Sequence, residues 1–198
     1  MGGFRLILRR ASTSDIWAVR RLVTEASQWL RTKGTDQWAV PWPDEDSRDG
    51  RIMRAIEAGR TWIVWDDNRA AATLTASPNH HHIWPEENRR DVAVYIRRLV
   101  VSRRYARQRL GAQLLDWAGL HANRQYGAQW VRVDVWTTNT ALHEYYVRQG
   151  FGFCGFCETI EGYPSAALFQ KPVHQIKPLE DPLFREIPDT ARGDRFTT

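Results

Sequence analysis

The chain has 198 residues, of which 42% are hydrophobic, so it is long enough for one globular domain with its own core. Its formal net charge of +5 favours anionic partners, such as nucleic acids or phosphorylated cofactors, without deciding between them. The two cysteines are too few for a disulfide framework and no segment has the roughly 18 apolar residues of a membrane helix, so we expect a cytoplasmic protein with no membrane partner.

The first half of the chain predicts a strand, two helices and a hairpin. In chain order they span Phe4–Leu8, Ile16–Leu30, Asp44–Gly59 and the pair Thr61–Trp65 with Ala70–Thr75. Apolar residues three and four apart indicate the first helix, and Asp44 is a suitable N-cap for the second. Turn-forming residues between two β-rich runs indicate the hairpin. The long polar segment Ser77–Asp91 is typical of a functional lid.

The second half predicts a strand, a helix, a strand, a short helix and two last strands. They span Val92–Val101, Leu110–Ala118, Trp130–Trp136, Asn139–Gly150, Phe151–Glu158 and Ala166–Gln170. In Trp130–Trp136 the valines alternate with Arg132 and Asp134, as in a half-buried strand. Residues 173–198 are polar with scattered prolines, which predicts a poorly ordered tail after a domain spanning residues 4–172.

A loop rich in arginine joins the strand Val92–Val101 to the helix that begins near Leu110. Such a loop gathers backbone N–H groups and the positive end of a helix dipole at one point, where phosphate can bind. The loop's arginines, Arg103, Arg104, Arg107 and Arg109, add charge-assisted contacts to a pyrophosphate. Without the flanking strand and helix, the same arginines would indicate only a solvated basic surface.

This loop resembles the pyrophosphate loop of the GNAT superfamily of acyl-CoA N-acyltransferases, which has the form Q/R-x-x-G-x-G/A. Gly111 and Ala112 match its end, whereas Ala106 stands where the family has Gln or Arg and Arg109 where it usually has glycine. Arg104 and Arg107 are close enough to replace the missing polar side chain. The resemblance implies cofactor contacts at Leu99, Val100, Val101, Arg104, Ala106, Arg107, Arg109, Leu110, Gly111, Ala112 and Asn139.

A second segment, Asn139–Phe151, resembles the family's N-x-x-A-x-x-x-Y-x-x-x-G-F pattern, with Leu142 in the alanine position. The resemblance implies that Asn139 contacts the cofactor near its sulfur and that Tyr146 protonates the leaving thiolate. The competing interpretation is that Tyr146 is a half-buried helix tyrosine packed beside Phe151.

The resemblance implies an α/β fold with a mixed, mainly antiparallel central sheet flanked by helices, and a cofactor cleft between two splayed parallel strands. It also implies acetyl-CoA as cosubstrate and a primary amine, in a small molecule or a peptide, as acceptor. Trp29 and Trp38 flank the helix-loop-helix that forms one wall of the acceptor pocket in the family. The sequence leaves a homodimer open.

Two other classes of function compete with this reading. Ala106 and Arg109 are compatible with a non-catalytic acyl-CoA-binding or regulatory domain, whereas nucleic-acid binding is disfavoured because no stacking-aromatic or helix-turn-helix pattern accompanies the charge. Cys154 and Cys157 are interpreted as packing residues, and the isolated run His80–His82 does not suffice to predict a metal site. The general base stays unassigned among Glu86, Glu87 and Asp134.

Overall fold

The computed structural model describes residues 6–40, 43–78, 83–157 and 164–188. The strands β1 to β8 are Leu6–Arg10, Thr61–Asp66, Arg69–Ser77, Ala93–Val101, Trp130–Val135, Gly152–Phe156, Ala167–Pro172 and Phe184–Glu186. The helices α1 to α5 are Ile16–Arg31, Glu45–Glu57, Glu86–Arg89, Leu110–Tyr126 and Thr140–Arg148. None of these helices is long and apolar enough to cross a membrane.

The strands of the described residues form one sheet in the order β6-β7-β5-β4-β3-β2-β1-β8. Only the β4–β5 and β1–β8 pairs are parallel, and every other neighbouring pair is antiparallel. The predicted hairpin is the β2–β3 pair, with Asp67 in the left-handed conformation at its turn. The expectation of a mixed, mainly antiparallel sheet is therefore confirmed.

Helices cover both faces of the sheet. On one face, Leu114 and Leu115 of α4 pack in the main core with Val94, Val131 and other inward-facing valines and leucines. On the other face, α1 and α2 pack their apolar sides against the sheet through a smaller cluster that includes Val19, Ile52 and Ile63. The three-and-four spacing of apolar residues in α1 thus gives the helix the buried face that the sequence predicts.

The two central parallel strands part halfway along β4. The β4–β5 pairing runs from Ala93–Trp130 to Ile96–Val133 and stops there. Beyond that point β4 pairs only with β3, through a bulge that contains Arg98, whose φ is 52°. A bulge adds a residue to one strand and bends it, so β4 curves away from β5 and a cleft opens between them.

Arg132 corrects the expectation that its side of β5 faces solvent. Its side chain is fully buried, forms an ion pair with Asp91, and donates to the carbonyl of Asn88 and, at 3.2 Å, to the Tyr95 hydroxyl. The guanidinium also lies 5.1 Å from the centre of the Trp84 ring. Residues 83–91 are therefore clamped onto the sheet, and they do not line the cleft as a lid there would.

Residues 173–188 extend the packed structure beyond the domain end expected at residue 172. The strand β8 runs parallel to β1, and Phe184 is 3% exposed within the main core. The Trp117 indole of α4 donates to Glu186 at 2.8 Å. The polar composition that suggested a disordered tail reflects the exposed positions of this segment, whereas a few apolar side chains anchor it.

We expect Phe184→Ala to lower the free energy of unfolding by about 3 kcal/mol, because it empties a fully packed site in the core. The neighbouring exposed Arg185 supplies the control, and Arg185→Ala should change stability by less than about 0.5 kcal/mol. Urea unfolding of both variants measures the difference. Equal small effects would show that β8 does not pack as described.

Candidate active site

A cleft of about 1670 Å³ opens where β4 and β5 part. Its walls come from the second half of α1, the loop after it, α2, the end of β4, the first turn of α4 and the helix α5. The cleft therefore contains both segments that the sequence singled out, the basic loop after β4 and the segment Asn139–Phe151.

The basic loop leads to the start of α4 through two residues whose backbone is in the left-handed conformation. Arg107 has a φ of 63° and Arg109, the N-cap of α4, has a φ of 62°. Leu110, Gly111 and Ala112 form the first turn of the helix and line the cleft. Backbone N–H groups of a first turn have no partner within the helix, so they and the helix dipole provide an anion site at this end of the cleft.

Arg109 occupies a conformation that favours glycine. A left-handed φ at a residue with a Cβ costs on the order of 1 kcal/mol, which the surrounding fold must offset. The chain therefore keeps the tight turn that a glycine would give, and the arginine side chain lines the cleft. Ala106, the other departure from the family's loop, is extended with a φ of −64° and also lines the cleft.

Three of the four loop arginines line the cleft, and Arg104 does not. The short 3-10 turn Arg103–Tyr105 sends Arg103 towards α1, where its guanidinium lies 3.9 Å from the centre of the Trp29 ring. Arg104 is exposed on the outside of the turn. Arg103 thus takes the position in the cleft that the sequence analysis gave to Arg104, and Trp29 supports the basic loop at the anion end of the cleft.

Glu25 fixes the beginning of the basic loop. Its Oε1 accepts hydrogen bonds from the Arg103 backbone N–H at 2.6 Å and from the Ser102 hydroxyl at 3.0 Å. No local sequence pattern predicts this contact, since it joins residues more than seventy positions apart. It ties α1 to the end of β4 and orients the anion site.

The edge of β4 that faces the cleft carries backbone groups available to a ligand. The Ser102 N–H donates to the Ala71 carbonyl of β3 at 2.9 Å. In an antiparallel ladder such contacts alternate along the strand, so Val100 is turned to β3 and the backbone groups of Val101 are turned away from it. The predicted residues Leu99, Val100 and Val101 all line the cleft, with the side chain of Val100 packed among Leu22 and Val23.

Two neighbouring tyrosines of α5 line the cleft. The Tyr146 ring is 7% exposed and packs against Phe151 and Phe169, at centroid distances of 5.3 and 6.1 Å. Burial raises the pKa of Tyr146 well above its ordinary value, with Tyr145 and Asp134 adding to the rise. The phenol is neutral at physiological pH, so its hydroxyl has a proton to donate.

Tyr145, which no sequence motif singled out, packs against the start of α4. A Cβ added to Gly111 would lie 3.1 Å from the Tyr145 hydroxyl, so a larger residue here would displace that hydroxyl by a few tenths of an ångström. Burial raises the pKa of Tyr145 to about 12, with a contribution from the Asp116 carboxylate. Tyr145 thus joins α5 to the anion site, while Tyr146 lies among the aromatic residues of the core.

Asn139 lines the cleft, but its side chain is already engaged at both ends. Its Oδ1 accepts from the Leu142 N–H at 3.0 Å as the N-cap of α5, and its Nδ2 donates to Gln37 at 2.5 Å. Asp36 accepts from Trp136 and Thr138 of the same segment, at 2.8 and 2.6 Å. Asn139 therefore helps to hold the loop after α1 across the mouth of the cleft.

That loop also contains Trp38, which lines the cleft as expected of an acceptor wall. Its backbone is left-handed, with a φ of 59°, and its carbonyl accepts from the Ser27 hydroxyl at 2.8 Å. Its ring packs against the cluster of Leu22, Val23 and Val100. Trp38 is thus held from α1 and from β4.

Of the three carboxylates considered as a base, only Asp134 lines the cleft. Its side chain is 7% exposed, and its Oδ1 lies 3.8 Å from the Nε of Arg97 across the gap between β4 and β5. Glu86 and Glu87 are exposed on α3, away from the cleft. Asp134 is therefore the remaining candidate for the general base. Its contact with Arg97 also suits a structural role.

The remaining candidate residues lie outside the cleft. His80–His82 fall outside the described residues, and among those that are described no group of three or more histidine, cysteine or acidic residues could hold a metal. Cys157 packs against the cluster around Trp84, whereas Cys154 is exposed, which corrects its interpretation as a packing residue.

Comparison with known proteins finds one family over the same segments. The model of the acetyltransferase (GNAT) family matches residues 23–151. The uncharacterised N-acetyltransferase YesJ of Bacillus subtilis (strain 168) is 31% identical over 147 residues, which cover 71% of this chain and 78% of YesJ.

Solved structures share the fold. A GNAT-family acetyltransferase from Listeria monocytogenes superimposes with a TM-score of 0.66 at 24% identity, over 86% of this chain and 96% of that one. The PaiA N-acetyltransferase from Thermoplasma acidophilum, solved in complex with coenzyme A, superimposes with a TM-score of 0.62 at 16% identity, over 84% and 98% of the two chains.

The left-handed turn at Arg109 predicts an unusual order of stability for two variants. Arg109→Gly and Arg109→Ala both remove the guanidinium, but only glycine removes the Cβ that strains the turn. After allowance for the greater freedom of glycine in the unfolded chain, we expect the glycine variant to be more stable by about 0.5 to 1 kcal/mol. Thermal unfolding measures this, and an alanine variant as stable as the glycine variant would contradict the turn geometry.

Proposed function

The chain belongs to the GNAT acetyltransferase family and is an acyltransferase, and from that premise we propose that it transfers an acetyl group from acetyl-CoA to a primary amine. The observation that carries the proposal is the cleft between β4 and β5. It has an anion site at one end and a buried, neutral phenol farther along its wall.

The residues of the cleft suit the cosubstrate. The N–H groups of Leu110, Gly111 and Ala112, with Arg107 and Arg109 beside them, would hold its pyrophosphate. The edge of β4 at Leu99 and Val101 would pair with the amide groups of its pantetheine arm. A protein of the same fold, PaiA from Thermoplasma acidophilum, has been solved with coenzyme A, which supports this assignment.

The proposed reaction requires few catalytic groups from the protein. When bound, the thioester supplies an electrophilic carbonyl; the amine nitrogen forms a bond to it and the carbon–sulfur bond breaks. A backbone N–H from the segment Leu99–Val101 donates to the oxyanion that develops on that carbonyl. The Tyr146 hydroxyl donates its proton to the departing sulfur. Asp134 is the described carboxylate best situated to accept the amine proton, directly or through water.

The alternative, a non-catalytic acyl-CoA-binding domain, was motivated by Ala106 and Arg109. The turn geometry removes this motivation, and the match to an acetyltransferase family favours the catalytic function. Arg109 adopts the left-handed conformation that a glycine would provide, so the start of α4 stays accessible from the cleft. Arg103 and Arg107 line the same end and supply positive charge next to the position where Ala106 lacks a polar side chain.

We expect coenzyme A to raise the melting temperature of the protein by mass action, and a short DNA duplex at physiological salt to raise it much less. Stabilisation by DNA that exceeds stabilisation by coenzyme A would refute the proposal.

Arg107→Ala should weaken coenzyme A binding by roughly tenfold, because it removes a charge-assisted contact to phosphate. Arg104→Ala is the matched comparison and should weaken binding less, since Arg104 lies outside the cleft.

We expect Tyr146→Phe to lower kcat for acetyl transfer by about 10² while stability and the Kd of acetyl-CoA stay close to those of the parent. A positioned acid contributes roughly 10² to 10⁴ in rate, and a thiolate is a good enough leaving group for the lower end to apply. Single-turnover measurement of thiol release determines the chemical rate directly.

Tyr145→Phe is the comparison, because it removes a hydroxyl from the adjacent position of the same helix. A large fall in the chemical rate for Tyr145→Phe together with a near-normal Tyr146→Phe would assign the acid to Tyr145. A near-normal rate for both variants would remove α5 from the chemistry altogether.

A further inference from the structure

A second group of arginines lines the cleft on the side of α2, apart from the basic loop. We call it the acceptor-side cluster; its members are Arg48, Arg51, Arg54, Arg60, Arg97 and Arg98. The first three lie on α2, Arg60 precedes β2, and Arg97 and Arg98 lie at the bulge of β4. Residues far apart in sequence are thus brought to one wall of the cleft.

Nearby acidic groups balance only part of this charge. Arg48 pairs with Glu45 at 2.7 Å and with Asp49 at 3.0 Å, but Asp49 is shared with Arg20 at 2.9 Å. Among the described residues that line the cleft, Asp36 and Asp134 are the only acidic ones; Asp36 is engaged by Trp136 and Thr138, and Asp134 pairs with Arg97 at 3.8 Å. The wall therefore carries net positive charge.

The arginines of the bulge have few hydrogen-bond partners among the described residues. The Nε and Nη2 atoms of Arg97 are shielded from solvent and have no hydrogen-bond partner among the described residues. The hydrogen bond of Arg98 is to a neutral group, the Thr75 hydroxyl, at 3.3 Å. Burial, together with the positive charges of Arg51, Arg97 and Arg48, lowers the pKa of Arg98 to about 10, which still leaves it charged at neutral pH.

The location of the cluster separates it from the cosubstrate's phosphates. Arg97 and Arg98 lie just before Leu99, where β4 leaves β5, whereas the anion site lies beyond the end of β4 at the start of α4. The cluster thus borders the segment Leu99–Val101, along which the thioester is proposed to lie. A group bound there would belong to the acceptor.

Building on the proposed function, we propose that the acceptor is a primary amine that also carries a carboxylate or a phosphate, and that the acceptor-side cluster binds this anionic group. Guanidinium groups bind both kinds of oxyanion with paired hydrogen bonds. An anion also relieves the mutual repulsion of the arginines. A polyamine would add positive charge to the same wall and is therefore disfavoured as acceptor.

Matched pairs of amines test the proposal. β-Alanine is compared with β-alaninamide and phosphoethanolamine with ethanolamine, so each pair differs in its anionic group, and the two pairs distinguish carboxylate from phosphate. We expect the anionic member of at least one pair to have a kcat/KM roughly tenfold to a hundredfold higher than its neutral partner. Neutral members that equal or exceed the anionic ones in both pairs would overturn the proposal.

Substitutions in the cluster give the second readout. Arg98→Gln and, at an exposed position that is safer for folding, Arg54→Gln should raise KM for the preferred anionic amine by roughly tenfold and leave that of its neutral partner unchanged. Arg21→Gln is the control, because Arg21 is exposed on α1 outside the cleft. Equal changes for the anionic and neutral amines would contradict the assignment.

Direct binding separates this inference from the proposed function. Calorimetry of the same four amines with the parent protein, with and without coenzyme A, needs no turnover. Tighter binding of an anionic amine that Arg98→Gln abolishes, without release of coenzyme A thiol from acetyl-CoA in the presence of any of the four amines, would support the cluster as a binding site and contradict acetyl transfer to these amines. Thiol release with no preference for the anionic members would support acetyl transfer and refute the cluster as the site that binds an anionic group of the acceptor.

Discussion

The cleft depends on one feature of the sheet, the early end of the pairing between β4 and β5. β4 stays paired with β3 to its last residue, Val101, but is paired with β5 only as far as Ile96. The bulge at Arg98 bends β4 at the same level, and beyond it the strand presents backbone groups with no partner strand on that side. An unpaired edge in the middle of a sheet has to be filled by a ligand, by solvent or by side chains. The proposed cosubstrate site lies along that edge, and the proposed acceptor site lies next to it.

Long-range polar contacts keep the walls of the cleft in place around this edge. Glu25 ties α1 to the end of β4, and Gln37 ties the loop after α1 to Asn139 at the start of α5. Tyr145 in turn brings α5 against Gly111 at the start of α4. The anion site, the tyrosines and the acceptor wall are therefore coupled, so a change at one wall can shift the others.

Local sequence patterns predicted much of the fold, because apolar periodicity and turn residues determine which segments become helices and strands. The strand, basic loop and helix around residues 93–126 were predicted this way, and so was the β2–β3 hairpin. The burial of Arg132 was not predicted, because a charged residue alternating with valines also fits a solvated face. Its ion pair with Asp91 and its contact with Trp84 depend on residues forty or more positions away.

The same limit applies to the site. The start of α4 could be found from Gly111 and its neighbours, but the left-handed turn at Arg109 and the exclusion of Arg104 from the cleft depend on the three-dimensional path of the loop. The acceptor-side cluster is the clearest case. The arginines of α2 have the spacing of an ordinary solvated helix face, and only the fold brings them to the bulge of β4.

A crystal structure of the protein with acetyl-CoA tests the central claim most directly, because that claim concerns where β4 is free to pair. The account predicts the pyrophosphate at the first turn of α4 and the pantetheine arm along Leu99 and Val101, with the thioester next to the bulge. A cosubstrate bound elsewhere, or β4 and β5 paired beyond Ile96 in the complex, would contradict it.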